Sequence, residues 1–217
     1  MEYLIEILPS LINGALITLE VFFLVLVLSI PLGVVIAFIM RFNIKLLNYF
    51  INIYIWIMRG TPLLLQLIFI YYVLPSVGIR FDRLPAAIIA FTLNYAAYFA
   101  EIFRGGIESI PKGQYEAAKV LKFTQFQTIR YVILPQSFVI SLPGLTANII
   151  FMLKEISVFS AISLIDMMFV TKDLIGLYYK TEESLFMLVV GYLIILLPLS
   201  LFGVWLERKL KYVGYSN

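Results

Sequence analysis

Residues 116–135 read EAAKVLKFTQFQTIRYVILP, a polar and amphipathic segment in a chain whose other long segments are almost entirely apolar. A breaker cluster at 110–113 is followed by residues of helix-forming composition, which predicts one short helix. Thr124 and Gln127 have the spacing of a capping box, which predicts a second helix that begins at Thr124. The segment therefore predicts two short helices that meet at a bend and form a compact knob over residues 112–130.

The composition of the chain is that of a membrane protein. Of its 217 residues, 62% are hydrophobic and 13% are charged, and the mean hydropathy is +1.00. A soluble domain keeps about a quarter of its residues charged. We therefore predict an all-α integral membrane protein with room for about five or six spans and for no separate soluble domain, so that residues 1–217 form a single domain.

The absence of cysteine and histidine restricts the chemistry further. Without cysteine the chain can form no disulfide and no zinc thiolate site. Without histidine it lacks the commonest metal ligand and the usual general base near neutral pH. Both absences argue against an enzyme and against a metal site. The basic residues are dispersed between apolar blocks, which argues against a nucleic-acid interface.

Five apolar blocks predict five transmembrane helices in contact with the lipid bilayer. The residues between the last two blocks, 154–184, contain an apolar run that is short for a span. We predict a re-entrant or interfacial helix followed by a surface loop there. The approximate bounds of the spans are 10–40, 47–79, 85–104, 131–154 and 185–207, with a polar loop over 105–130.

The distribution of lysine and arginine predicts the orientation of the spans. With the C-terminus inside, the inner segments carry ten such residues and the outer segments five, when Arg59 is excluded because it lies within a span. We therefore expect the N-terminus outside, and the C-terminus and the 105–130 loop in the cytoplasm. The inner residues are Arg41, Lys45, Arg104, Lys112, Lys119, Lys122, Arg130, Arg208, Lys209 and Lys211, and the outer residues are Arg80, Arg83, Lys154, Lys172 and Lys180.

The opening segment resembles the EAA loop with which permease subunits of ATP-binding-cassette (ABC) importers contact a cytoplasmic ATPase. That pattern is Glu-Ala-Ala, three residues, Gly, nine residues, an aliphatic residue, any residue, Leu and Pro. Here the Glu-Ala-Ala of 116–118 is followed at this distance by the Val-Ile-Leu-Pro of 132–135. Lys122 occupies the glycine position, and a lysine adopts a left-handed conformation at a cost of about 1 kcal/mol.

Three further segments are similar to polar amino-acid permeases. They are RGTPLLLQ at 59–66, YFAEIFRGGI at 98–107, which continues into SIPKGQ at 109–114, and LKEIS at 153–157. Together with the loop they cover most of residues 10–210 in the expected order. The chain thus resembles the arginine, histidine and glutamine uptake permeases, which have the type I ABC importer fold.

This resemblance implies a set of partners. A permease of this kind is half of a transmembrane pair, here with a second identical chain or, as the alternative, with a close homologue. The chain has no phosphate-binding G-x-x-x-x-G-K-[ST] loop, so ATP would be bound by a separate cytoplasmic ATPase dimer, and we expect no cofactor on the chain itself. An extracytoplasmic binding protein would deliver the substrate, and the location would be a prokaryotic inner membrane.

The resemblance also assigns the ATPase-coupling residues, which lie in the first helix of the knob and at its bend. Glu116 would supply one charge for the register of the contact, and the small side chains beside it would let a partner approach closely. The predicted coupling residues are Gln114, Tyr115, Glu116, Ala117, Ala118, Lys119 and Lys122.

The substrate path is predicted from ionisable side chains within spans, because such groups are costly in lipid. Glu20 lies about 15 Å into the first span, near its midplane if the span begins around Ser10. Arg59 and Thr61 flank or occupy a break in the second span, where unwound backbone can coordinate a ligand.

The third and fourth spans supply the other path candidates. Asn94, Tyr98 and Glu101 share one face of a helix. Lys154 and Glu155 are adjacent in the chain and lie nearer the outer side.

Structural roles remain open for these charges. Arg59 can pair with Glu101, and Lys154 can pair with an acid, only to stabilise the helix bundle. Glu20 can face a pore without binding a ligand. Arg104 lies next to the inner boundary and is interpreted as a topogenic charge rather than as a ligand.

The balance of charges suggests the substrate. Glu20, Glu101, Glu155 and Asp166 outnumber Arg59 and Lys154. We therefore predict that the substrate is a polar L-amino acid. A basic one, namely arginine, lysine or histidine, is favoured, and glutamine is a further possibility. The competing hypothesis is a stand-alone ion-coupled carrier or channel, and a membrane scaffold without transport is a third one.

Overall fold

A computed structural model of the chain describes the backbone of residues 2–42 and 44–214 and the side chains of 3–42 and 44–210. The side chain of Lys211, which was counted among the inner charges, lies outside the described residues. All regular elements in these ranges are helical, which confirms the predicted all-α class. The helices are α1 (Glu2–Arg41), α2 (Lys45–Gly60), α3 (Leu63–Ile68), α4 (Arg83–Glu108), α5 (Lys112–Val120), α6 (Gln125–Gln127), α7 (Leu134–Glu155), α8 (Met167–Tyr178) and α9 (Thr181–Gly214).

Four helical segments in the described ranges are long and apolar enough to cross a membrane, and a bent pair brings the number to five. The bent pair, 45–60 with 63–77, turns through 106° where the sequence predicted a single interrupted span over 47–79. The four long segments are Tyr3–Arg41, Arg83–Glu108, Gln125–Ile162 and Thr181–Leu210.

Proline causes the break in the bent pair. Pro62 lacks an N–H and disfavours helical backbone at the residue before it, and Thr61 is accordingly extended, with φ −118° and ψ 148°. The Gln66 amide donates to the carbonyl of Met58 at 3.0 Å and to the hydroxyl of Thr61 at 2.8 Å. The side chain of Gln66 thereby satisfies a carbonyl group that the end of α2 leaves free.

The predicted bounds of the polar loop need correction. Helix α4 continues to Glu108, so the loop begins at Ser109 rather than at residue 105. At its other end, the helical segment that precedes α7 begins at Gln125 and runs through a π-helical stretch at Thr128–Ile133. The continuous helix therefore begins before the span predicted over 131–154.

The segment 154–184 is more ordered than predicted. It contains a 3-10 helix at Ile156–Ile162 and then α8. The second and third N–H groups of α8, at Met168 and Phe169, donate to the buried Asp166 carboxylate at 3.3 and 3.0 Å. Helix α8 packs on α1, where the Met167 N–H donates to the Thr18 hydroxyl at 3.1 Å. A helix was predicted in this segment and helix is present, but α8 continues to Tyr178, so little of the segment remains for the predicted surface loop.

Helix α4 is the centre of the bundle. One face of it is rich in buried alanine, and small residues let neighbouring helices approach closely. Gly33 of α1 lies against Phe99 and Ala100 of α4, and Gly106 of α4 lies against Ser141 of α7. This packing leaves the other face of α4, which carries the charged residues, turned toward α2.

Candidate functional site

The knob has the bend that the sequence pattern predicts. Lys122, at the glycine position of the pattern, has a φ of 58°, which is left-handed. The capping box is also present: the Gln127 N–H donates to the Thr124 hydroxyl at 3.2 Å, and the Thr124 N–H donates to the Gln127 side chain at 2.8 Å. Helix α5 and the helix that begins at Gln125 thus meet at a fixed angle.

The predicted coupling residues divide into two groups. Ala118 is buried, and Tyr115 and Gln114 bond to the body of the protein, so these three hold α5 in place. Their partners are Arg41 of α1, which donates to the Tyr115 hydroxyl at 2.9 Å, and Gln136 of α7, which donates to Gln114 at 3.3 Å. The exposed group consists of Glu116, Ala117, Lys119 and Lys122.

Three apolar side chains of the knob were missed by the sequence reasoning. Val120, Leu121 and Phe126 are 81%, 67% and 69% exposed. The sequence does carry a signal for these residues, because they are apolar side chains inside an otherwise polar loop. An exposed apolar surface rimmed by charges is typical of a protein contact site, so the knob offers a partner an apolar tip as well as a charged flank.

The charged face of α4 forms a row of ion pairs. Glu101 accepts from Arg59 of α2 at 3.2 Å and from two nitrogens of Arg104 at 2.8 and 2.9 Å. Arg104 also donates to both carboxylate oxygens of Glu108, at 2.9 and 3.0 Å. The predicted alternative for Arg59, an ion pair with Glu101, is therefore present. Arg104, which the sequence led us to interpret as a topogenic charge, lies at the centre of these ion pairs.

A cavity of about 460 Å³ lies beside the row. It is lined by Arg59 and Gly60 at the break, by Tyr98 and Glu101 on α4, and by Asn52, Ile55, Trp56 and Arg104. The Arg59 guanidinium lies 5.2 Å from the centre of the Tyr98 ring, a cation–π distance. We call this space the Arg59 cavity, and it brings together three of the predicted path residues.

Asn94 and Thr61 stabilise the break rather than line the Arg59 cavity. The buried Asn94 amide donates to the Met58 carbonyl at 2.7 Å and to the Gln66 side chain at 3.0 Å. Thr61 donates to the Ile57 carbonyl at 2.8 Å. These bonds hold the bent pair against α4 and so fix the position of Arg59.

The remaining path candidates lie elsewhere. Glu155 accepts a hydrogen bond of 2.5 Å from Tyr95, a residue that the sequence reasoning missed although it precedes Tyr98 by one turn. Lys154 lies 4.7 Å from the centre of the Phe151 ring. Among the described side chains, neither Lys154 nor Glu20 has an acid or base within ion-pair distance, and Glu20 is exposed.

Residues 29–212 match the family described as "Binding-protein-dependent transport system inner membrane component". The chain belongs to this family. It is therefore the permease component of an ABC importer, in which a partner ATPase hydrolyses ATP and a substrate-binding protein is a further component. The family is one of multi-pass inner-membrane proteins, in agreement with the predicted location.

Curated relatives are similar over almost the whole chain. The glutamine transport system permease protein GlnP of Escherichia coli (strain K12) is 36% identical over 205 residues, 94% of this chain and 94% of that protein. The putative glutamine permease GlnP of Rickettsia bellii is 34% identical, over 96% of this chain and 98% of its own length. The L-cystine permease TcyB of Bacillus subtilis is 37% identical over 71% of this chain and 66% of its own length.

Two solved structures have the same fold. A chain in the crystal structure of an amino acid ABC transporter with histidines superposes with a TM-score of 0.88 at 33% identity, covering 94% of this chain and 96% of that one. A chain of the inward-facing MetNI methionine transporter superposes with a TM-score of 0.71 at 20% identity, covering 94% and 95%. The type I importer fold inferred from the sequence is thus confirmed for this family member.

Proposed function

We propose that this permease carries a polar, basic L-amino acid into the cell by alternating access. The observation that carries the proposal is a row of side chains that runs from Glu155 through Tyr95 and Tyr98 to Arg59. The Tyr95 hydroxyl lies 2.5 Å from a carboxylate oxygen of Glu155, and the centres of the Tyr95 and Tyr98 rings are 6.0 Å apart. The Arg59 guanidinium carbon lies 5.2 Å from the centre of the Tyr98 ring. The row has a carboxylate at one end and a guanidinium at the other, which matches a substrate with a cation and a carboxylate.

Arg59 is the group that would hold the substrate carboxylate. A guanidinium has five N–H donors, and the Arg59 side chain makes one ion pair, to Glu101, while 42% of its surface remains exposed. Arg59 therefore has donors left for a carboxylate, and bidentate guanidinium–carboxylate pairs are among the stronger hydrogen-bonded contacts in proteins. Glu101 is already occupied by Arg104, so Glu155 is the better partner for a cationic side chain.

The ATPase would contact the exposed part of the knob. Exposed charges at Glu116, Lys119 and Lys122 surround the apolar tip that Val120, Leu121 and Phe126 form. This surface suits a groove with an apolar floor and a charged rim. In this arrangement the knob, the C-terminus and Arg41 are cytoplasmic and the N-terminus is outside, and the second permease is an identical chain.

Glutamine is the second candidate substrate, because the names of two of the relatives include it. The two candidates differ in their need for Glu155. The test is uptake into proteoliposomes that contain the permease, its ATPase and its binding protein, with arginine or glutamine as the labelled substrate.

We expect Glu155→Gln to abolish arginine uptake and Glu182→Gln, which neutralises an exposed acid in the first turn of α9 and is the matched control, to leave it unchanged. Equal arginine uptake by wild type and Glu155→Gln would contradict the assignment of Glu155. If the wild type takes up glutamine faster than arginine, the substrate is the neutral amino acid rather than a basic one.

A further inference from the structure

A second polar cavity lies next to the Arg59 cavity. It has a volume of about 700 Å³ and extends from α4 to the knob. We call it the Lys112 cavity. Its polar lining consists of Arg41, Asn48, Asn52, Arg104, Glu108, Lys112 and Tyr115.

The two cavities share two lining residues, Asn52 of α2 and Arg104 of α4. Along α4 the Arg59 cavity is lined by Tyr98 and Glu101, and the Lys112 cavity is lined by Glu108. The shared side chains therefore lie at the boundary between the two spaces. The Arg104 side chain is 36% exposed, which places part of it in contact with cavity space rather than with protein.

The hydrogen bonds of Arg104 extend to both sides of this boundary. Its Nε and one terminal nitrogen donate to Glu101, and its other terminal nitrogen donates to Glu108. A topogenic charge needs no fixed geometry, whereas here each guanidinium nitrogen has a partner. Glu101 on one side of the boundary and Glu108 on the other thus hold the Arg104 side chain between the two cavities.

Release of Arg104 from Glu101 would be less costly than breaking an isolated ion pair. Glu101 would keep its bond to Arg59 at 3.2 Å, so its charge would not be left without a partner. Glu108 is 62% exposed and stays solvated when Arg104 moves. The groups around Arg104 therefore tolerate two positions of its side chain.

We propose that Arg104 is the gate between two consecutive chambers on the inner half of the substrate path, and that the Lys112 cavity is the exit chamber. The proposal rests on the proposed transport function. The ligand class is a zwitterionic α-amino acid. Its carboxylate can replace a carboxylate of the chain on Arg104, and its ammonium group can bind Glu108 as it passes. The exit chamber carries three cations, Arg41, Arg104 and Lys112, and a single acid, so it attracts the substrate carboxylate and repels a cationic side chain, which favours onward release of a basic substrate.

The experiment uses the natural absence of cysteine, because a single introduced cysteine is then labelled without background. Gly60 lines the Arg59 cavity, and a Cβ at Gly60 would meet no atom within 4 Å. Gly113, on α5 and outside both cavities, has the same open space and serves as the matched control. The probe is a membrane-impermeant thiol reagent without net charge, so that loss of the Arg104 or Glu108 charge does not by itself change its local concentration, and it is applied to the cytoplasmic face of inside-out vesicles that hold the complete transporter.

We expect Arg104→Ala to increase the labelling rate of Gly60→Cys about tenfold and to leave that of Gly113→Cys unchanged. Glu108→Gln removes one anchor of Arg104 at an exposed position and should give a smaller increase, so it replaces Arg104→Ala if that variant does not fold. An unchanged Gly60→Cys rate in these variants would overturn the gate. Absence of ATP-dependent uptake by the wild-type complex would overturn the proposed transport function instead.

Discussion

Arg41 and Tyr115 join the end of the first helix to the helix of the knob. The Arg41 guanidinium donates a 2.9 Å hydrogen bond to the Tyr115 hydroxyl and lies 4.9 Å from the centre of its ring. Helix α1 packs on α4 along much of its length, with Gly33 against Phe99 and Ala100. A displacement of the knob would therefore reach the centre of the bundle through this pair.

The first prediction concerns this pair. Tyr115→Phe removes the hydrogen bond and keeps the ring. Because the pair is exposed, we expect the free energy of unfolding to fall by only about 1 kcal/mol. We expect lower transport per ATP hydrolysed, with the ATPase still bound. Arg41→Ala removes both contacts and should have the larger effect. If transport per ATP is the same in Tyr115→Phe, Arg41→Ala and wild type, the pair does not transmit motion.

The second prediction concerns the apolar tip of the knob. Leu121→Asp places a charge on a surface that would be buried against the ATPase, and an unpaired buried charge costs several kcal/mol. We expect the ATPase to be lost from the purified complex while the permease still inserts. Lys45→Ala is the control, since it removes an exposed charge outside the knob. A normal amount of ATPase bound to Leu121→Asp would show that the tip is not the contact.

The third prediction tests the charged flank of the knob. Glu116→Arg reverses an exposed charge, and Ala117→Asp adds one, at positions where the chain itself buries neither side chain. We expect both variants to lose transport-coupled ATPase activity and to remain in the membrane. Normal coupling in both variants would remove the flank from the ATPase contact.

The fourth prediction concerns the contact between α4 and α7. A Cβ added at Gly106 would lie against the Ser141 hydroxyl and 2.8 Å from the Ser137 carbonyl oxygen, so Gly106→Ala should destabilise the protein by about 1–3 kcal/mol. Gly105→Ala is a matched control in the same helix, because no atom lies within 4 Å of its added Cβ. We expect thermal unfolding in detergent at a lower temperature for Gly106→Ala only. Equal unfolding temperatures would contradict the tight contact.

The fifth prediction concerns pH. Burial raises the pKa of Asp166 from an ordinary 3.8 to about 6, partly offset by the N–H groups that it caps and by Lys172. The folded protein therefore binds this proton more tightly than the unfolded chain does. Stability from this group is fully present below about pH 4 and is lost as the pH rises to about 6.

Asp166→Asn tests this linkage, since asparagine also caps a helix and does not titrate. Relative to wild type, we expect the variant to gain stability between pH 4 and pH 7, by about 2–3 kcal/mol. The measurement is thermal unfolding of both proteins over this range. A stability difference that does not change with pH would show that Asp166 does not hold a proton more tightly when folded.

The sequence predicted those features that depend on nearby residues. Thr124 and Gln127 are three residues apart, and the left-handed Lys122 follows from the place of a glycine in a short pattern. The break at Pro62 follows from the chemistry of proline itself. Each of these features is determined within one turn of backbone.

The sequence did not predict those features that depend on packing. The role of Arg104 depends on two acids that share its helix face and on a cavity that α2 completes. Tyr95 reaches Glu155, 60 residues away in the chain. A helix was predicted within residues 154–184, but the bounds and packing of α8 were not, because its partner is the distant first half of α1. Apolar content alone indicated a helix in this segment but not where it ends or what it packs against.

The most direct test of the central claim is arginine uptake by proteoliposomes that contain the purified permease and binding protein, with and without the partner ATPase. We predict uptake only when both the ATPase and ATP are present. Uptake by the permease without the ATPase, driven by an ion gradient, would contradict the account and favour an ion-coupled carrier.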